Sequence, residues 1–186
     1  IRDLRMSRGL GEVYKRQGVV GESGCGKSTL GRTILRLQEP TDGQILYDGK
    51  DITKYNRRQM KQMRQNMQLI FQDPYASLDP RKSVVEIIAE YMIINRTYPS
   101  KKEIYNYAAH LMDIVGLARR YANAYPHELD GGRRQRIGIA RALSLHPKFI
   151  VCDEPVSALD VSIQAQILNL LMLSLIHISE PTRHAQ

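Results

Sequence analysis

Apolar residues fall into short runs bounded by glycine, proline and aspartate, alternating with longer segments where they recur every three or four positions. Residues 18–20 read as the stub of a buried strand. Residues 28–37 read as a helix with Leu30, Ile34 and Leu37 on one face. Residues 40–43 are a turn, residues 44–53 alternate like a strand broken at Asp48-Gly49, and residues 67–72 form another short apolar strand. Residues 83–95 are apolar at helical spacing. Ser100 and Glu103 form a capping box before a helix whose Ile104, Ala108, Leu111 and Val115 share one stripe, ending at Gly116. A further helix starts near Gly131-Gly132 and runs through Ile137, Ala140 and Leu143. Residues 148–152 then read as a buried strand and residues 161–171 as a helix. The pattern is α/β interrupted by helices, with no internal repeat or heptad run.

The 186 residues, 42% hydrophobic and 25% charged, suit one globular domain with a sizeable core. Cys25 and Cys152 make neither a disulfide framework nor a metal-ligand spacing, which fits a reducing, cytosolic setting. The longest mainly apolar segment, residues 167–178, is interrupted by Asn169, Ser174 and His177 and is too short to cross a bilayer. Any membrane role is therefore expected to be peripheral. A net charge of +8 admits nucleic acid as a partner, but a basic surface beside an anionic nucleotide is the commoner cause, and no direct nucleic-acid contact is expected.

Both ends read differently from the middle. The stretch from Leu173 to Arg183 is what a transposase adaptor used in sequencing would encode, and the reverse complement of that element's opening bases reads Val-Tyr-Lys-Arg-Gln, residues 13–17. Residues 1–17 and 173–186 are therefore expected to be adaptor-like rather than native, leaving residues 18–172 as the credible core. Five basic and two acidic side chains put +3 of the net charge in the first segment.

Chemistry enters with Gly21-Glu-Ser-Gly-Cys-Gly-Lys27-Ser28, which fits the phosphate-binding spacing G-x-x-x-x-G-K-[ST] at a strand-to-helix turn. Backbone N–H groups and a helix N-terminus there can face phosphates, so Gly21, Glu22, Ser23, Gly24, Cys25, Gly26, Lys27, Ser28 and Thr29 are the candidate cradle. Phe149-Ile-Val-Cys-Asp153-Glu154 is an apolar strand ending in two acids, the Walker B pattern. In this pairing Lys27 serves the β/γ-phosphates, Ser28 and Asp153 hold Mg²⁺, and Glu154 polarises the attacking water.

With these motifs the chain resembles the ATP-binding subunits of ABC transporters over essentially all of residues 18–172. Gln72 in Phe-Gln-Asp-Pro is similar to the Q-loop glutamine, which the resemblance implies contacts Mg²⁺ and senses the membrane subunit. Leu129-Asp-Gly-Gly-Arg133 stands where the family has Leu-Ser-Gly-Gly-Gln, and Ser157-Ala-Leu-Asp160 resembles the D-loop. The wording GESGCGKSTLGR with FQDPYASLDPR is most similar to the second ATPase of oligopeptide, dipeptide and nickel importers. The resemblance implies an α/β fold: a P-loop NTPase, RecA-like core with an inserted helical subdomain at about residues 74–145, truncated at both ends. It implies ATP and Mg²⁺ as cofactors and ATP hydrolysis that powers solute import at the cytoplasmic face of the membrane. The implied partners are a homologous ATPase, two membrane permeases and an extracytoplasmic solute-binding protein. Asp130, Gly131, Gly132 and Arg133, with Asp160, would then meet nucleotide across a head-to-tail ATPase pair. A soluble ABC-type ATPase acting on DNA or ribosomes is the rival reading.

Two departures qualify that expectation. Asp130 replaces the signature serine and Arg133 the glutamine; an ionised aspartate would repel a γ-phosphate, so either the site is weakened or Arg133 offsets the charge. Tyr14 and His177 stand too close to the motifs to serve as the family's adenine-stacking aromatic and switch histidine. The chain as written is accordingly expected to show little ATPase activity.

Overall fold

The computed structural model describes residues 18–22, 24–71 and 77–153. Helix α1 (Lys27–Ile34) is followed by the hairpin β1 (Leu46–Tyr47) and β2 (Lys50–Asp51), helix α2 (Arg57–Asn66) and strand β3 (Met67–Ile70). Helices α3 (Val84–Asn95), α4 (Lys101–Ile114) and α5 (Gly131–Leu143) lead to strand β4 (Phe149–Cys152). β3 and β4 pair in parallel with Met67 opposite Phe149 and Ile70 opposite Cys152, so α3, α4 and α5 are inserted into the crossover between adjacent strands. Lys148 N–H donates to Asn66 O and Asp153 N–H to Ile70 O, which carries the ladder one bond past each strand end.

α3, α4 and α5 enclose the larger core. Ile87, Ile88, Met92, Leu111, Met112, Ile137, Ile139 and Leu143 are fully buried there, and truncating any one to alanine costs about 2–5 kcal/mol. The predicted stripe on α4 is the buried one: Ile104, Ala108, Leu111 and Val115 all face this core. Ser100 Oγ accepts from Glu103 N–H at the start of α4, and Gly116, at φ 65°, ends it. Leu117 N–H then reaches back to Met112 O, the bond that closes a Schellman motif.

A smaller core of Leu35, Ile52 and Met67 joins α1, the hairpin and β3. Asp48 and Gly49, at φ 50° and 73°, make the β1–β2 turn, the doubly left-handed geometry that matches strand twist. Arg36, 8% exposed, ties this hairpin to α1: its Nη1 donates to Ile52 O at 2.7 Å and to Thr53 O, and its Nη2 to Glu39 Oε2.

Several sequence expectations are corrected. α1 stops at Ile34 instead of residue 37 because Arg36 turns left-handed, φ 53°, to reach the hairpin carbonyls, and Leu37 N–H caps Arg32 O. Leu30 and Leu37 are half exposed, at 48% and 49%, and the buried positions are Gly31 and Leu35 instead. Residues 18–20 form no strand, since a strand requires a ladder partner and Val20 is 96% exposed. β4 is less buried than a fully covered strand, with Phe149 and Cys152 exposed. Helix α2 goes beyond the sequence reading; its signal was the reciprocal cap in which Asn56 Oδ1 accepts from Gln59 N–H and Gln59 Oε1 from Asn56 N–H. The predicted helix at residues 161–171 lies outside the described residues.

Candidate nucleotide-binding site

The glycine loop turns into α1 through left-handed backbone at Gly24 (φ 81°) and Gly26 (φ 94°), positions where a side chain would be strained. Gly26 is the N-cap and supplies no side-chain hydrogen bond, and the first turn of α1 holds no acidic residue. The first N–H groups of α1 are thus left to a ligand, and nothing on the helix opposes an anion. Lys27 Nζ folds back over the loop, donating to Gly21 O at 2.8 Å and Glu22 O at 2.7 Å, with Cys25 Sγ at 3.7 Å. Gly21 is tightly placed as well: a Cβ there would stand 2.5 Å from Cys25 Sγ.

Ser28, in the first turn of α1, donates through Oγ to Asp153 Oδ1 at 2.6 Å. The second oxygen of Asp153 faces Arg32 at 3.8 Å, and its side chain is 10% exposed. The parallel ladder holds Asp153 at the C-terminal tip of β4, while Gly31 allows α1 to press onto that strand. A Cβ on Gly31 would meet Val151 Cγ1 at 2.9 Å. Ser28 hydroxyl and Asp153 carboxylate are both hard oxygen donors, the set that Mg²⁺ prefers, so the residues present fit that ion. Ser23, Gln72, Glu154 and Asp160 lie outside the described residues. Thr29 is exposed at the loop edge.

The second candidate region is the start of α5. Asp130 is the N-cap: its Oδ1 accepts from Arg133 N–H at 2.8 Å and its Oδ2 from Arg133 Nη1 at 2.6 Å. Gly131 and Gly132 follow as the first two helical residues. Of the two sequence alternatives, charge compensation by Arg133 is the one with geometry behind it. Among the described residues no hydrogen bond or ion pair joins Asp130 or Arg133 to Gly21–Ser28. Sequence reasoning did not find Tyr121, whose ring lies under the Arg133 guanidinium at 4.9 Å. It is separated from Arg133 along the chain and carries no motif.

A cleft of about 290 Å³ opens between α2, β3, α3 and the end of α5, lined in part by Leu37, Phe71, Tyr91 and Ile94 and rimmed by Lys61 and Arg64. Phe71, the residue before Gln72, is 39% exposed there, and Ile94 55%. Among the described residues no helix is long and apolar enough to cross a membrane.

Several known proteins are similar to this chain. The ABC transporter family model matches residues 4–157. The oligopeptide transport ATP-binding protein OppF of Bacillus subtilis (strain 168) is 53% identical over 163 residues, covering 86% of this chain and 53% of that protein. The OppF protein of Haemophilus influenzae is 52% identical over 171 residues, 92% of this chain and 51% of that protein. The chain thus spans about half the length of the curated relatives it matches. Among solved structures, a dimeric post-hydrolysis state of the ATP-binding cassette MJ0796 bound to ADP and Pi superposes with a TM-score of 0.74 at 31% identity. That match covers 84% of this chain and 68% of the other. cbiO1 from Clostridium perfringens, part of the ABC transporter complex cbiONQ, gives 0.75 at 28% identity, covering 86% of this chain and 61% of the other. The phosphate-loop geometry, the Ser28–Asp153 pair and these matches together place the chain in the ABC transporter ATP-binding family, with the P-loop NTPase fold of its cassettes.

Proposed function

We propose that the full-length protein binds and hydrolyses ATP to power solute import, with an oligopeptide or dipeptide as cargo. The observation that carries this reading is the Ser28–Asp153 hydrogen bond beneath the Lys27 loop, because it joins a phosphate cradle to a metal-binding carboxylate. The relatives' names, oligopeptide transport and peptide import ATP-binding proteins, support the cargo.

In this mechanism the loop N–H groups and the α1 N-terminus hold the phosphates, and Lys27 neutralises charge on the β- and γ-groups. Ser28, Asp153 and Gln72 would hold Mg²⁺, which when bound supplies further neutralisation of the developing phosphoryl charge. Glu154 orients the attacking water and draws off its proton. Asp160, with Asp130, Gly131, Gly132 and Arg133, would face nucleotide across a head-to-tail pair with a homologous ATPase; the dimeric MJ0796 cassette supports the pairing itself. The cleft beside Phe71 is where we place the membrane permease, at the cytoplasmic face, since Leu37, Phe71 and Ile94 in its lining are apolar and exposed. Two permeases and an extracytoplasmic binding protein complete the transporter. Residues 18–172 would form the ATPase portion, with residues 1–17 and 173–186 outside it.

The test is Glu154→Gln in the full-length protein assembled with its partner ATPase. ATP binding should persist while turnover falls by on the order of a hundredfold; turnover at the wild-type rate would sink the assignment.

A further inference from the structure

We propose that Tyr121 is a positioning residue for the Asp130–Arg133 loop: its ring seats the Arg133 guanidinium against Asp130, so the aspartate charge is neutralised before a phosphate approaches the α5 N-terminus. This rests on the reading that the loop faces nucleotide in the ATPase pair.

Asp130 supplies one thing a helix start needs and one thing a phosphate site does not tolerate. Its Oδ1 caps Arg133 N–H, while its Oδ2 carries charge to the same surface. Arg133 Nη1 meets that oxygen at 2.6 Å, but the two side chains are 42% and 56% exposed. An ion pair so open to water holds a long arginine weakly. A second restraint is present: Arg133 Cζ stands 4.9 Å from the Tyr121 ring centroid, within the range where a guanidinium is attracted to an aromatic face.

The ring is itself held. Tyr121 packs against the helical core and ends a short 3₁₀ turn, Arg119–Tyr121, that Arg119 ties to Asp113 on α4 at 2.5 Å. Arg120 adds a second cation, 5.1 Å from the same ring and 3.3 Å from its hydroxyl. Two guanidinium groups and one carboxylate leave this surface with a local charge of +1 (2 − 1), suited to an anion despite the aspartate. Tyr121 thus acts through Arg133.

The experiment measures kcat and KM for ATP in the full-length protein assembled with its partner ATPase, with ATP affinity measured separately by equilibrium binding. R133Q should lower kcat about tenfold or more with Asp130 in place, but less than about threefold in the D130S background. Tyr121→Met, which keeps apolar packing but removes the ring, should lower kcat about threefold, the scale of an exposed cation–π contact. Tyr121→Phe should restore it, and the Tyr121→Met loss should vanish in D130S. If Tyr121→Met does not fold, Tyr121→Leu reads the same loss. Equal losses with and without Asp130, or failure of Tyr121→Phe to rescue, would overturn the proposal while leaving ATP binding and turnover intact. A wild-type assembly that bound no ATP would overturn the nucleotide reading and this proposal with it.

Discussion

Ser28 Oγ and Asp153 Oδ1 stand 2.6 Å apart although 125 positions separate them in the chain. The contact sets a first-turn hydroxyl of α1 against the tip of β4 and assembles two oxygen donors at the mouth of the loop. On the proposed function, Asp153→Ala in the full-length protein should therefore raise the Mg²⁺ concentration needed for turnover and lower the maximal rate by on the order of a hundredfold. A Mg²⁺ titration of ATP hydrolysis reads both effects, and an unchanged titration would remove Asp153 from the metal site.

Lys27 bridges the Gly21 and Glu22 carbonyls at 2.8 and 2.7 Å, which places its ammonium over the loop that α1 leaves uncapped. Lys27→Ala should weaken ATP binding about tenfold to a hundredfold, since a charge-assisted hydrogen bond contributes about 1.5–3 kcal/mol. Lys27→Arg should not restore it, because a planar fork cannot take the place of a compact ammonium. Calorimetric titration of the full-length protein with nucleotide distinguishes the variants.

Two helical glycines should respond oppositely to the same change. A Cβ on Gly31 would meet Val151 Cγ1 at 2.9 Å, and a β-branched strand residue has little freedom to yield. The overpacking cost of about 1–3 kcal/mol outweighs the gain of about 0.5–1 kcal/mol in helix propensity, so Gly31→Ala destabilises. A Cβ on Gly138 in α5 would enter open space, with no neighbour within 4 Å, and Gly138→Ala should stabilise by about 0.5–1 kcal/mol. Urea unfolding of the two full-length variants decides both signs.

His146 is set between Tyr98 and Tyr107, with its Nε2 3.3 Å from Tyr98 Oη and its Nδ1 3.5 Å from Tyr107 Oη. Burial lowers its pKa below the ordinary 6.5, and both phenols are pushed up by burial and stay neutral. The unfolded chain therefore takes up this proton first as the pH falls. Stability associated with the neutral ring is fully present above 6.5 and declines as the pH drops from there through the folded-state value. His110 stands at the cluster edge, its ring 5.9 Å from that of Tyr107. Thermal melting of the full-length protein should show a loss as the pH falls below the ordinary 6.5 that His146→Asn reduces, asparagine being chosen because position 146 is left-handed at φ 51°.

What could be read along the chain was whatever depends on neighbours a few positions away. The caps at Ser100 and the glycine end at Gly116 bound α4 as expected, and the stripe from Ile104 to Val115 is the buried one, because capping and helical periodicity act within one or two turns. The glycine turn into α1 was legible for the same reason, Gly24 and Gly26 lying directly before Lys27. Helix α2 escaped notice because only Met60 and Met63 interrupt its polar residues, although the Asn56–Gln59 cap was written in plain view.

Tertiary structure decided the rest. α1 ends early because Arg36 is drawn to carbonyls at Ile52 and Thr53, and residues 18–20 form no strand because a ladder needs a partner. Asp130 and Arg133, three apart on a helix start, could be paired on paper; Tyr121 could not be added to them, since only the packing of its 3₁₀ turn on the helical core brings it beneath the guanidinium. Local free energies are encoded in adjacent residues. Pairings such as Met67 with Phe149 and Ser28 with Asp153 exist only once the crossover through α3, α4 and α5 has closed, and their geometry is set by that packing.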